Sequence, residues 1–564
     1  MRIHSIILGV LAAALTIGGC AQEKEAPPPS AAPETARTIA QGSLVGFVEE
    51  NGAHVWRGVP FAASTAGPNR WRAPRPAPSW SGERAMLSFA ERCPQLTNGF
   101  NPVEGVEPGA LVGSEDCLAL DIYAPPNAES RALPVMVWIH GGSNVSGGAD
   151  LYPAHRLAKN EDVIVVVVQY RLGPLGWFAY GALRESAQTP RDKSANFGTL
   201  DLIASLEWVR DNIAVFGGDP GNVTIFGESA GGHNVVSLLA TPLASDLFHR
   251  AIIQSGSFAS VSLSDAEGAT GDEIGAGSVI AAKLGGSVEA LQSARVKDVF
   301  DAYPLQGGFI ELPRIIEDGV VLPSAPMRDA FASTGRFNAV PIITGVNRDE
   351  MKLFYLLDDR LTKRVLGAFF VARDQALYDA AAEYSSRMWR VRSVDEPARA
   401  MADAGHEAVY AYRFDWDEGG RFFLMDLAKM LGAAHAVEIP FVLNRFSLLG
   451  DADRVLFTKK TEASRQQLSR AMGAYWAAFA RDGAPNASGA PDWPHYGADA
   501  RLLRLDTESD GGIEVIEGED TVEAIIADLK GDARVTAEER CEIADGLAGW
   551  APERRDEINS ALCS

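Results

Sequence analysis

One junction constrains this chain more than any other. A short β-type run, Val223–Phe226, passes through Gly227-Glu228-Ser229-Ala230-Gly231 into a helix-like apolar run, Val235–Leu239. A strand that turns at once into a helix must carry Ser229 on a sharp, strained turn exposed at a sheet edge. Glycines two residues either side let the two backbones pass closely. Other short apolar runs bounded by turn residues read as strands buried on both faces: Val135–Ile139, Val163–Val168, Ala251–Ile253, Val340–Thr344 and Val409–Phe414. Helical patterns lie between them. Leu200, Ile203, Leu206, Val209 and Ile213 form one stripe, and Leu468, Met472, Tyr475 and Phe479 form another. This alternation predicts an α/β fold, a mainly parallel twisted sheet covered by helices. Gly42–Phe61 reads instead as an antiparallel strand pair ahead of the parallel part.

A serine hydroxyl needs a base before it can act as a nucleophile. Of the nine histidines, the order nucleophile, acid, histidine that goes with such an elbow leaves His406, His435 and His495. His406 precedes the strand Val409–Phe414, at its wrong end. His495 sits in a Trp-Pro-His-Tyr turn after the second helical stripe and reads as a packing residue. His435 follows the strand and precedes the helix, so it is the expected base. An acid should follow the earlier strand Val340–Thr344, where Asp349 and Glu350 both qualify by position. His140-Gly141-Gly142-Ser143 ends another strand and can aim backbone N–H groups at the elbow, with the N–H of Ala230 as a further donor. His140 reads as a structural residue of that turn, and His233 as a helix-face residue.

These segments together resemble the type B carboxylesterases, α/β-hydrolases that include cholinesterases and many bacterial esterases. The likeness runs from about Gly42 to Leu505. It is carried by Trp56-Arg-Gly-Val-Pro-Phe61, Ser114-Glu-Asp-Cys-Leu118, Trp138-Ile-His-Gly-Gly142, Phe216-Gly-Gly-Asp-Pro220 and Asn222-Val-Thr-Ile-Phe-Gly-Glu-Ser-Ala-Gly231. The resemblance implies an acyl-serine ester hydrolase acting on small-molecule esters without a metal or organic cofactor. It selects Glu350 over Asp349 as the acid and His435 as the base. It places the oxyanion amides on Gly142, Ser143 and Ala230, and a disulfide on Cys93–Cys117. A catalytically silent adhesion protein on the same scaffold, and a lipase or amidase variant, are the alternatives. Three departures stand out: Ser143 replaces a third glycine in the oxyanion turn, Met351 follows Glu350 where glycine is frequent, and no tryptophan lies between Cys93 and Cys117. Cholinesterases use that tryptophan to hold a quaternary ammonium.

The ends carry other information. Arg2, the apolar run Ile6–Ile17 and Gly18-Gly19-Cys20 resemble a bacterial lipoprotein signal, with residues 1–19 removed and Cys20 lipidated. Residues 20–38, rich in Pro and Ala, read as a spacer, 39–506 as the catalytic domain, and 507–564 as an acidic linker and helical tail. Export, membrane attachment through the lipid, and a location on the outer-membrane or periplasmic face follow as expectations, with a soluble secreted form as the alternative. Setting Cys20 aside leaves four cysteines, and the local pairs Cys93–Cys117 and Cys541–Cys563 cost the least loop-closure entropy. In the chain-entropy model each would stabilise by roughly 3 kcal/mol. No Cys-x2-Cys spacing suggests metal. Thr536-Ala-Glu-Glu539 has the form of a capping box opening a stapled helical hairpin. The net charge of −23 excludes a general nucleic-acid binder.

Overall fold

The computed structural model describes residues 28–98, 102–103, 105–268, 277–303, 305–306, 309–310, 314–366, 369–447 and 453–563. Cys20 and the signal segment lie outside them. The chain divides into two units: one comprises the described residues up to Pro341 with Phe479–Ala484, the other Ile342–Ala478 and the chain from Pro485 onward.

The first unit is built on seven strands: Phe47–Val48 (β1), His54–Pro60 (β2), Ala119–Ala124 (β3), Leu133–Ile139 (β4), Ile164–Val168 (β5), Gly218–Glu228 (β6) and Arg250–Gln254 (β7). They lie in the order β7-β6-β4-β5-β3-β2-β1. The pairs around β4 and β6 are parallel, while β1, β2, β3 and β5 pair antiparallel. Every residue of β4 and β5 is buried, as expected of apolar runs with no polar alternation. Helices Phe197–Asn212 (α1) and Ala230–Ala240 (α2) belong to this unit. The expected stripe on α1 is buried, but so are Leu202, Trp208 and Asp201. Arg171 makes the burial of Asp201 tolerable through two charge-assisted bonds of 2.7 and 2.8 Å. Asp121 on β3 is buried with less support. Its Oδ1 accepts the N–H of Gly58 at 2.8 Å, where the register of β2 slips. Burial pushes its carboxyl up to about 7.

Two expectations for the N-terminal region need correction. Gly42–Phe61 is not one strand pair. Gly42–Val45 joins Arg37–Ile39 and Glu83–Ala85 in a separate three-stranded sheet, and only β1 and β2 enter the main one. The spacer expected to reach Thr38 is docked from Ala32 onward. Thr35 is fully buried, its Oγ1 accepts from Gly46 N, and its carbonyl accepts the Trp56 indole N–H at 2.8 Å. The Cys93–Cys117 disulfide is formed in this unit.

The second unit holds Ile342–Asn347 (β8), Val409–Phe414 (β9), Leu502–Leu505 (β10) and Glu514–Ile516 (β11), in the order β11-β10-β9-β8. The first three run parallel and β11 returns antiparallel. The segment expected as an acidic linker therefore supplies an edge strand. Glu514 sits opposite Arg504 in the register, and that cross-strand ion pair of 3.1 Å explains an acid where composition alone suggested a loop. The second expected stripe lies on helix Glu462–Asp482, with Leu468, Met472, Tyr475 and Phe479 buried.

Helix Gln375–Arg390 (α3) carries the tail, which has three helices: Val522–Gly531 (α4), Ala537–Trp550 (α5) and Arg555–Leu562 (α6). α4 had no counterpart in the sequence reading. Its N-cap is Thr521, whose side chain accepts from Ala524 N. The capping box at Thr536 and Glu539 is present, and Cys541–Cys563 ties α5 to the end of α6.

Candidate active site

Ser229 links β6 to α2 with φ 58° and ψ −123°. A non-glycine residue in that region costs about 1–3 kcal/mol and persists only where its surroundings fix it. Here the Ser229 N–H donates to Gln254 O at the end of β7, and its carbonyl accepts from His233 N, each at 2.9 Å. The flanking glycines are needed for clearance. A methyl group on Gly231 would lie 2.0 Å from Ile139 O, and one on Gly227 would lie 2.6 Å from the same oxygen. The end of β4 thus presses directly on both arms of the elbow.

The turn after β4 meets the elbow within the same unit. A methyl on Gly141 would sit 3.2 Å from Ser229 Cβ. Gly142, Ser143 and Asn144 follow with φ of 99°, 57° and 59°, three left-handed residues in a row. The turn closes through Val145 N and Ser146 N, both donating to Gly142 O at 3.0 Å. Asn144 anchors it: its side chain accepts from Asn234 Nδ2 at 2.9 Å, and its carbonyl accepts from Gly173 N at 2.7 Å. Ser143 adopts the left-handed conformation despite its side chain, so the departure from glycine is absorbed by backbone strain. The turn that carries Gly142 and Ser143 thus follows a residue that borders Ser229, and Ala230 opens α2 directly after it.

His140 is held as a structural residue. Its ring stacks on Tyr170 with centroids 4.5 Å apart, and Nδ1–H donates to Gly141 O at 2.8 Å. Burial pushes its imidazole down to about 4, so it is neutral across the physiological range. His233 likewise donates from Nε2 to Ala259 O at 2.7 Å, with desolvation lowering its imidazole to about 4.

The second unit brings Glu350 and His435 together. Glu350 is fully buried, and its Oε2 lies 2.6 Å from His435 Nδ1. Its Oε1 accepts the N–H of Asn347 at 2.7 Å. An ionised carboxylate can only accept, so Nδ1 carries the proton and Nε2 is the basic nitrogen. Asp349, the positional rival, is used elsewhere. It pairs with Arg348 at 2.7 Å and Lys352 at 3.5 Å, and its Oδ2 accepts Ala433 N at 3.1 Å. Burial pushes its carboxyl up, but Arg348 and Lys352 outweigh that and hold it below the ordinary value. Asp349 therefore pins the backbone just before the histidine. His495 bonds to Tyr410 OH at 2.9 Å as a packing residue, and His406 lies ahead of β9.

Several supporting residues had no assigned role in the sequence. Asn347 Nδ2 donates to Ala434 O and to Glu438 Oε2, both at 2.7 Å, stitching the end of β8 to the turn that bears His435. Glu438 lies in Ala436-Val-Glu-Ile-Pro-Phe441, directly after His435. Trp389 and Phe354 lie beside the His435 imidazole, with centroids 4.8 and 5.3 Å from it and 6.0 Å from each other. No local pattern marks either. Among the described residues no group of acidic, histidine or cysteine side chains has the arrangement of a metal site.

The chain is similar to known proteins. A sequence model of the Carboxylesterase family matches residues 33–368 and 360–519. The para-nitrobenzyl esterase of Bacillus subtilis (strain 168) is 33% identical over 495 residues, covering 84% of this chain and 94% of its own. The human cocaine esterase is 34% identical, covering 83% of this chain and 86% of its own. Among solved structures, a PNB esterase superposes with a TM-score of 0.69 at 29% identity, covering 86% of this chain and 97% of its own. A Geobacillus stearothermophilus carboxylesterase does so with a TM-score of 0.69 at 30% identity, covering 87% and 99%. The fold is that of the α/β-hydrolases, and the chain belongs to the carboxylesterase family.

Proposed function

We propose that this carboxylic ester hydrolase works through an acyl-serine intermediate on Ser229, with His435 as base and Glu350 as its orienting acid. Ser229 Oγ attacks the ester carbonyl carbon while its proton passes to His435 Nε2. The oxyanion that forms is held by the N–H groups of Gly142, Ser143 and Ala230. The ester C–O bond then breaks and His435 returns the proton to the leaving alcohol. Water attacks the acyl group, its proton goes to His435, and the carboxylic acid leaves as Ser229 regains its hydrogen. Glu350 fixes the tautomer throughout and supports the imidazolium electrostatically. The observation that carries this reading is the strained, hydrogen-bonded conformation of Ser229 between β6 and α2. Ser229→Ala should cut hydrolysis of p-nitrophenyl esters by about 10⁴-fold or more with an unchanged far-UV circular dichroism spectrum. Retained turnover would overturn the assignment.

The chain is exported and held at a membrane by a lipidated Cys20. The support is the signal-like N-terminus, the odd cysteine it accounts for, and two disulfides of the kind that persist in oxidising compartments. Cys20→Ser should release active enzyme into a soluble exported fraction. A wild type already soluble, or an unmodified mature N-terminus by mass analysis, would leave a secreted esterase.

A further inference from the structure

The match to the carboxylesterase family ends at residue 519, and α4, α5 and α6 lie beyond it. We propose that this C-terminal module positions the catalytic base, acting on His435 through two adjoining tryptophans, Trp550 and Trp389. The inference rests on His435 being the base.

The module is anchored on the helix that carries Trp389. Val522, Ile525, Leu529, Ile543, Leu547 and Ile558 share one buried cluster with Ala380, Ala381, Tyr384 and Met388 of α3. Polar ties reach the same helix and the residues just after it. Arg387 pairs with Asp520 at 2.7 Å and with Asp528 at 2.8 Å, Tyr384 OH donates to Asp532 at 2.9 Å, and Arg392 pairs with Glu553 at 2.7 Å. Trp389 is the penultimate residue of α3 and Trp550 is the last residue of α5. Their rings lie 5.0 Å apart at 39°, and the Trp389 ring lies 4.8 Å from His435 at 37°. Trp389 is 8% exposed, so the indole that borders the imidazole is itself backed by the module.

The physics gives this contact a purpose. The bond to Glu350 fixes one nitrogen of His435, and the position of the other depends on the tilt of the ring about that bond. Trp389 at 4.8 Å and Phe354 at 5.3 Å, themselves 6.0 Å apart, border the imidazole together and limit its tilt toward them. A misplacement of about 1 Å costs about 100-fold in rate. The imidazolium formed during each proton transfer is also favoured beside an indole face. Without Trp550, Trp389 loses its backing and relaxes away from His435. The Cys541–Cys563 staple closes α5 on α6 and so holds the helix that ends in Trp550.

The test is steady-state hydrolysis of p-nitrophenyl acetate by the full chain, with the melting temperature measured in parallel. Trp550→Ala should lower kcat by about 5–30-fold and leave KM within about twofold, the signature of a misaligned base. Trp550→Phe should recover most of kcat, because it restores an aromatic backing. Leu529→Ala, a cavity in the same module, should lower the melting temperature at least as much while keeping kcat near wild type. Where Trp550→Ala does not fold, Trp550→Leu gives the same comparison, apolar but not aromatic. Wild-type kcat in the Ala or Leu variant, or an equal kcat loss in Leu529→Ala, overturns the inference. His435→Ala separates the two levels. If it is inactive while Trp550→Ala is fully active, only this inference falls. If it is active, the base assignment falls and the inference with it.

Discussion

Around Ser229 the construction material is backbone. The elbow and the turn after β4 are set by close main-chain approaches, positive φ angles and short hydrogen bonds between neighbouring segments. Around His435 it is side chains. Glu350, Asn347, Glu438 and Asp349 reach across 84 to 91 residues of sequence to hold one turn, and aromatic rings fill the space beside it. At Gly227 and Gly231 the backbone construction leaves no room for an added atom. Side-chain construction tolerates substitution in proportion to what each group holds.

Among substitutions that keep Ser229 and His435, the largest effect should come from Glu350→Gln. An amide in place of the carboxylate can no longer both hold the Nδ1–H tautomer and support the imidazolium. Ester hydrolysis should fall by about 10²–10⁴-fold with little change in melting temperature. A near-normal rate would remove Glu350 from the reaction. Next is Gly231→Ala. The added methyl would lie 2.0 Å from Ile139 O, a backbone atom of a fully buried strand, so no side chain can yield. Stability should drop by about 3 kcal/mol in denaturant titration, with most activity lost. A wild-type midpoint would mean the elbow is looser than its geometry implies.

Asp349→Asn should behave differently from its neighbour. It should cost about 1–2 kcal/mol of stability, since a charge-assisted anchor is lost, and leave kcat within a few-fold of wild type. The folded carboxyl lies below its ordinary value, so its stabilisation is present above the unfolded value of 3.8 and is lost as pH falls through the folded one. The difference between wild type and variant should therefore shrink in acid. The smallest effect, and the only stabilising one, should come from Asp121→Asn. The buried Asp121 carboxyl is raised to about 7, so its contribution to stability is fully present below 3.8 and is lost as pH rises through 7. The variant should gain roughly 1 kcal/mol at pH 8 and almost nothing at pH 4. An equal shift at both values would rule out ionisation as the cause.

The same contrast explains what could be read from the sequence. The elbow and oxyanion turn are contiguous motifs whose glycines report clearance, so Ser229, Gly142, Ser143 and Ala230 were legible as residues. The strands were legible because runs buried on both faces lose their polar alternation. Position alone left Asp349 and Glu350 equal, because which carboxylate points at His435 depends on a turn closed by Ala433 and Asn347, far apart in the chain. Family likeness separated them. Trp389 and Trp550 left no trace, since a ring contact between distant helices has no sequence period. The edge strand β11 was hidden by its acidity, which the structure uses opposite Arg504.

The central claim is that Ser229 Oγ is the atom that takes the acyl group. Treating the purified protein with a fluorophosphonate and mapping the added mass by peptide mass spectrometry tests it directly. The account predicts one adduct per chain, on the peptide that carries Ser229, and almost none in His435→Ala, where the serine lacks its base. An adduct on another serine, or no adduct in a protein that still hydrolyses esters, would contradict it.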